Sequence, residues 1–485
     1  MMKYEFHAQF PLALQDSVTQ AAAIDFLAHK RDRPPQAWPE LAAVEDEWLR
    51  MQLLAQTLPT NYKEQARVGA RNDPTGYAFW LERQAEAFLA RQRRRLDALN
   101  LTPAAQTLPD LALLPAGSFT LSFTFTLASP YLSKDDAALN LLDNPVRKEW
   151  VFKLPYIAAS QWKGVLQAAM VQAFAVWWQQ LKPEEQQNRI NQKQLVARRI
   201  QLTRLFGTEI EHVKQFLDQL ADNAKLAQWY QRYLRRFIST TGFVAGRLYC
   251  YPTFFDRLSL EVINPHDRES GAGLQPIYFE DVPAGATGTF TLLYVPFDRI
   301  GEDAAETRRQ VAADLNLITE GVQAMMTLYG FGAKTSSGFG LAREQTEGEG
   351  RFVLNYPDVT LDEHPPRPAA PEPPAQPPAL RTYLAEFPNE DFALKPDKWR
   401  EQRNATNSQR EAYKTARAAH ADYQQALTQH QQALAGHQAD LQAWQIATEK
   451  PLPPTTERHF RTYVELQNQA YAVAQMLRQS KRGDA

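Results

Sequence analysis

The pattern of apolar and polar positions changes character several times along this chain of 485 residues. Up to about residue 115 the apolar positions recur at helical spacing, in Leu41 to Leu58 and again in Phe79 to Leu99, with Pro34, Pro35 and Pro39 breaking the chain between them. From Ser118 the period drops to two: Phe119, Leu121, Phe123, Phe125 and Leu127 alternate with Thr120, Ser122, Thr124 and Thr126, which predicts a half-buried strand. A helix is expected from Ser160, a suitable capping residue, through Leu181, with Trp162, Leu166, Met170, Phe174 and Trp177 among its apolar positions. A polar helical insertion over about 182 to 239 precedes two further strands, Gly246 to Phe254 and Gly288 to Phe297. A helix from Asp303 to Leu328 and a last strand near Phe339 to Gln345 complete the series. Without the insertion the order is βαββαβ, which predicts an α+β, ferredoxin-like core whose helices cover one face of the sheet.

Prolines and alanines dominate from 356 to 380, as expected of an extended spacer. Beyond it Tyr413, His420, Leu427, Leu434 and Leu441 recur every seventh residue, a weak coiled-coil seam that Pro451, Pro453 and Pro454 interrupt. Phe460, Tyr463, Leu466, Ala470, Val473 and Leu477 then predict a second amphipathic helix, hence an antiparallel helical hairpin. The expected organisation is a helical extension over 1–115, a core over 116–350, a spacer over 356–380, and a helical hairpin or coiled coil over 381–485.

Composition narrows the functional classes. A formal charge of −2 gives no global basic signal, so anion binding must come from local patches such as Arg91 to Arg95, Arg198 to Arg204 and Arg232 to Arg236. Each of these also reads as a solvated helix face. One cysteine, Cys250, rules out an internal disulfide and suits a reducing, cytoplasmic compartment. No signal peptide opens the sequence, no stretch approaches the ~20 apolar residues of a membrane span, and the nine histidines have no CxxC or HExxH partner.

The most informative motif is Gly330-Phe-Gly-Ala-Lys-Thr-Ser-Ser-Gly-Phe-Gly340. It follows a helix and precedes a strand, the reverse of a Walker loop or a dinucleotide fingerprint, which disfavours nucleotide-binding folds of those kinds. Its glycines suit sharp turns or close approach to a ligand. With Gly332, Lys334, Thr335, Ser336, Ser337 and Gly338 together, a phosphate backbone is an attractive ligand. A ligand-free helix-to-strand turn is the competing reading.

Asp143-Asn-Pro-Val146, Leu154-Pro-Tyr-Ile-Ala-Ala-Ser-Gln-Trp-Lys-Gly164 and the glycine loop occur in an order that resembles the RAMP superfamily of CRISPR effector subunits, and most of all the backbone subunits of type III complexes. Arg204-Leu-Phe-Gly207, Gly246-Arg-Leu248, Asn264 to Ser270, Pro276 to Glu280 and Val282 to Gly285 extend the likeness through the central part of the chain. The resemblance implies a modified RNA-recognition fold that grips guide (CRISPR) RNA and assembles with other effector subunits in antiviral defence. It also implies an endoribonuclease, a hydrolase that cuts complementary target RNA with one aspartate, here Asp143. Mg²⁺ is the implied cofactor, since it can be held by one carboxylate plus phosphate oxygens. Asp143 could instead orient the ribose 2′-hydroxyl, or merely open a turn before Pro145.

Ser160 and Lys163, at a helix start, are candidate phosphate contacts. Ala158, Ala159, Gln161 and Trp162 depart from the family pattern there, as does Ser129 to Lys134 after the first strand. Arg268 is assigned to phosphate binding by the resemblance. Neighbouring His266 and Asp267 would point apart on a strand and cannot form one acid–base site unaided. The alternatives are a non-catalytic RNA-binding subunit at an end of the complex, a metal-independent guide-processing nuclease for which no acid–base pair is evident, and an assembly scaffold.

Overall fold

The alternating apolar residues from Phe119 onward do bury one strand face. In a computed structural model, β1 (Phe119–Leu127) turns Phe119, Leu121, Phe123, Phe125 and Leu127 into the core. The structure describes residues 6–70, 72–101, 108–135, 140–221, 224–238, 241, 243–263, 271, 277–356, 370–448 and 456–479. The chain divides into two compact units, one formed by 1–359 with 454–485 and the other by 360–453.

In the first unit, β1 is the middle of a five-stranded antiparallel sheet. Its other strands are β2 (Leu248–Cys250), β3 (Thr287–Tyr294), β4 (Ala342–Leu354) and β5 (Thr456–Thr462), in the spatial order β5-β4-β1-β3-β2. Register between β1 and β3 is fixed on both faces. Phe119 stacks on Tyr294 with ring centroids 4.6 Å apart, while on the opposite face the hydroxyls of Ser122 and Thr291 and of Thr124 and Thr289 pair at 3.0 and 3.1 Å.

Helix α1 (Ala159–Gln180) and helix α2 (Ala304–Ala324) cover the aromatic face. Trp162 anchors α1: its ring packs on Phe125, Phe290 and Phe331, and its Nε1 donates to Thr253 Oγ1 at 2.9 Å. Further along, Trp178 rather than Trp177 is fully buried, and Trp177 instead carries the Arg198 guanidinium over its ring at 4.4 Å. Ser160 does not cap the helix. Residues Tyr156–Ile157 pair with Thr253–Phe254, so the chain enters the helix from extended Ala158, and no side chain caps the start.

The insertion forms helices Arg189–Phe206, Glu211–Leu220 and Ala224–Tyr233. It is clamped to the core by the fully buried Asp314 carboxylate of α2, which accepts from Arg204, Arg247, Tyr294 and Gln201 at 2.8 to 3.1 Å. Arg204 and Arg247 belong to two of the segments singled out by resemblance, and both serve this buried cluster.

The C-terminal expectation is corrected. Residues 456–462 form edge strand β5 and α3 (Tyr463–Gln479) packs along α2, so both belong to the sheet unit rather than to a helical hairpin. The cause is aromatic burial: Phe460 and Tyr463 pack on Phe123 of β1, with centroids 5.9 and 5.5 Å away. Of the spacer, 357–369 lies outside the described residues, and a helix begins at Pro378. In the second unit, helices Pro378–Glu386 and Pro396–Arg403 pack against the long helix Asn407–Thr448 through Tyr383, Phe392, Trp399 and Tyr413. Only the first part of the heptad seam is buried there; Leu434 is exposed.

Tyr463 tests the β5–α3 attachment. Its ring is buried, but its hydroxyl has no hydrogen-bond partner among the described residues. Tyr463→Ala is expected to cost about 3 kcal/mol in a urea titration, whereas Tyr463→Phe should match or exceed the native stability. Tyr471→Ala, on the exposed face of the same helix, should change it by less than about 0.5 kcal/mol.

Candidate nucleic-acid interface

The glycine loop is shaped by backbone contacts that exclude side chains. Gly332 (φ 99°) and Gly340 (φ 72°) lie in the left-handed region, and a Cβ would meet Leu132 O at 2.5 Å from Gly332 and Phe331 O at 1.9 Å from Gly340. The Ala333 and Gly340 amides donate to Leu132 and Pro130 carbonyls, each at 2.8 Å, while buried Phe331 plugs the core. The loop is thereby fastened to segment 130–133, which follows β1. Between these anchors Lys334, itself at φ 58°, starts a short 3-10 turn Thr335–Ser337 ended by Gly338. Lys334, Ser336, Ser337 and Gly338 are exposed and Thr335 and Gly332 half-buried.

A hairpin of Ser259–Ile263 and Ile277–Asp281 brings this loop and Asp143 to one strand. The Lys334 ammonium sits 4.7 Å from the Phe279 ring centroid. Asn144 forms a parallel bridge to Phe279, and its carbonyl accepts from the Glu280 amide at 2.9 Å. Glu280, fully buried, is the hub: its carboxylate accepts from the Tyr77 hydroxyl, the Lys148 ammonium and, at 3.0 Å, the Val146 amide. Burial and the Glu280 charge push the Tyr77 phenol well above its ordinary pKa, so it acts as a donor. Lys148 also lies over the Trp48 ring, 5.1 Å from the centroid.

Asp143 itself remains 57% exposed at the side chain, with Oδ1 accepting from Arg67 Nη2 at 2.9 Å. Buried Arg67 is fixed in turn by the Leu141 carbonyl at 2.8 Å. The N-terminal helical region shows no catalytic motif in its sequence, yet it supplies Arg67 to Asp143, Tyr77 to Glu280 and Trp48 to Lys148. Nearby, Arg147 donates its amide to Ser133 Oγ at 2.8 Å and lies over the Tyr156 ring. Trp150 is 83% exposed at the tip of a turn that the Glu149 carboxylate ties through the Val151 and Phe152 amides.

Among the described residues, no contact ties Lys163 to this surface. It is half-buried, its pKa lowered by burial, with the Cys250 thiol as its ionisable neighbour; burial pushes that thiol up to about 12. Ser160 is exposed in the first turn of α1. Arg268, with His266 and Asp267, lies outside the described residues. Among the described residues no three His, Cys, Asp or Glu side chains group to hold a metal ion. A single exposed carboxylate suits Mg²⁺, which completes its shell with water and phosphate oxygens, better than a metal that needs a full protein cage. No helix among the described residues is long and apolar enough to cross a membrane.

No protein-family model and no curated protein matches the chain. Solved structures that it is similar to include chains of CRISPR complexes. They include a chain of the type III-B Cmr-beta bound to cognate target RNA, at 13% identity and TM-score 0.29 over 67% of this chain and 96% of that one. Cmr6 from Pyrococcus furiosus matches at 15% identity and TM-score 0.24, over 47% and 99% of the two chains. A chain of a type IV-B CRISPR complex matches at 15% and 0.27, over 48% and 90%. At these scores and identities the likeness fixes neither activity nor site residues in this chain.

The Glu280 hub gives a direct test of how the Asp143 loop is held. Glu280→Gln leaves the buried Lys148 ammonium without its counter-charge and is expected to cost about 3–5 kcal/mol. Limited proteolysis should then cut faster within 140–150. Adding Lys148→Met to Glu280→Gln should recover most of the loss, as read by urea titration.

Proposed function

We propose that the chain is a cytoplasmic RAMP-type CRISPR effector subunit with a ferredoxin-like core, resembling the type III backbone subunits. In this reading it binds guide RNA over the glycine loop and cleaves complementary target RNA at Asp143. One observation carries the proposal: Lys334 and the Asp143 loop are held on adjacent residues of a single strand, Phe279 and Glu280. A cation for phosphate and an exposed carboxylate thus share one support. The strand order β4-β1-β3-β2 with α1 and α2 as the crossovers supports the ferredoxin-like assignment.

In this reading Lys334 and the hydroxyls of Thr335, Ser336 and Ser337 meet guide phosphates, with Arg268, Ser160 and Lys163 as further contacts. Asp143 orients the ribose 2′-hydroxyl at the cut, and Arg67 holds its carboxylate in place. Asp143 would also be the residue to hold Mg²⁺, which would supply neutralisation of phosphate charge. The Arg67–Asp143 ion pair also favours a second reading, a non-catalytic RNA-binding end subunit, because it supplies a structural role for the aspartate.

Cleavage of labelled RNA complementary to a bound guide, in Mg²⁺ or EDTA, separates the two. Asp143→Asn should abolish Mg²⁺-dependent cutting while leaving RNA affinity within about twofold. Absence of cutting by the native protein with RNA still bound selects the end-subunit reading, and equal cutting by variant and native protein would remove Asp143 from the chemistry. RNA affinity should fall with salt at a log–log slope of roughly 0.7 per phosphate neutralised, and Lys334→Ala should lower that slope by about 0.7. A slope that does not change would remove Lys334 from the interface.

A further inference from the structure

Most of the basic clusters in this chain find structural partners once it folds. Arg91 pairs with Glu47, Arg199 with Glu209 and Asp218, and Arg204 with Asp314. Lys193 and Arg232 do not follow this pattern. Lys193 on insertion helix Arg189–Phe206 and Arg232 and Arg236 on the helix facing it line a groove of about 460 Å³. No described carboxylate pairs with Lys193 or Arg232, and no acidic residue lines the groove.

Val196, Ala197 and Ile200 give it an apolar lining, to which the rings of Trp229 and Tyr233 are added. Trp229 and Tyr233, one helical turn apart, are 39% and 43% exposed although they sit beside a packed cluster of Ile200, Tyr230 and Leu234. The helix that carries them widens into a π turn over Leu234–Ile238, which holds Arg236, and π turns recur at functional positions.

We infer that this groove is a second nucleic-acid site, which takes unpaired nucleotides of single-stranded RNA, with bases against Trp229 and Tyr233 and phosphates on Lys193, Arg232 and Arg236. Aromatic faces exposed beside guanidinium groups suit this ligand, because every base offers a π face and the planar guanidinium matches phosphate oxygens. An acidic peptide would also answer the charge, but the two exposed rings one turn apart favour stacked bases over aliphatic side chains. The choice of RNA rests on the proposed function, although the groove shares no residue with the glycine-loop surface.

The test uses the full chain and a short fluorescein-labelled oligouridylate. Trp229→Ala, and separately Arg232→Glu with Arg236→Glu, should each weaken binding about tenfold with an unchanged thermal melt, and Trp229→Phe should restore it. Ultraviolet cross-linking of the native chain should attach uridine within 224–238, a readout that no variant's folding can affect. Native binding with undisturbed groove variants and cross-links confined to the glycine loop would overturn the groove and leave the proposed function standing. Failure of the native chain to bind at all would overturn both. Groove variants that keep RNA affinity but lose binding of an acidic peptide would reassign the groove to protein docking.

Discussion

A carboxylate removed from water must be surrounded by donors and positive charge, and that requirement organises this molecule at two points. Asp314, fully buried on α2, collects Arg204 from the insertion, Arg247 just before edge strand β2 and Tyr294 from β3. None of these elements can shift alone without leaving a buried charge short of a partner. The sheet, its edge strand β2 and the insertion therefore form one cooperative body, to which buried apolar residues of the insertion such as Leu202 and Leu205 also contribute.

Glu280 applies the same constraint at the candidate interface. Its partners come from the N-terminal helical region and from the loop after β1, so the Asp143 loop is held by a satisfied buried cluster and not by its own short-range geometry. The glycine loop is fixed differently. Carbonyl contacts at Gly332 and Gly340 leave no room for a Cβ, and Lys334 is consequently presented from rigid backbone. Two independent kinds of restraint thus converge on the strand Ile277–Asp281.

The strand Phe119–Leu127, both core helices and the order of elements were legible because period-2 and period-3.6 patterns report burial directly. The fate of Phe460 was not. An apolar stripe fits a helix through Leu477 equally well until Phe123 is known to wait for Phe460 and Tyr463, and that knowledge needs the sheet to exist. Ser160 was misread for a related reason, since the pairing of Tyr156 and Ile157 with Thr253 and Phe254 moves the helix start. At the interface, Asp143 and Lys334 were visible as motif residues. Arg67 and Tyr77 were not, because they reach Asp143 and Glu280 from 76 and 203 residues away.

The basic runs show where sequence reading of charge stops. Arg198, Arg199, Arg204, Arg232 and Arg236 look alike as exposed helical cations, yet they end as a ring contact on Trp177, a buried pair with Glu209, a clamp on Asp314 and the wall of an open groove. What sets Arg199 and Arg204 apart is that folding delivers a carboxylate to each, and Asp314 arrives from 110 residues along the chain. In a protein of formal charge −2, anion affinity therefore cannot follow from the number of cations. It depends instead on which cations folding leaves without a described carboxylate, and Lys193 and Arg232 are two such cations beside the half-exposed rings of Trp229 and Tyr233.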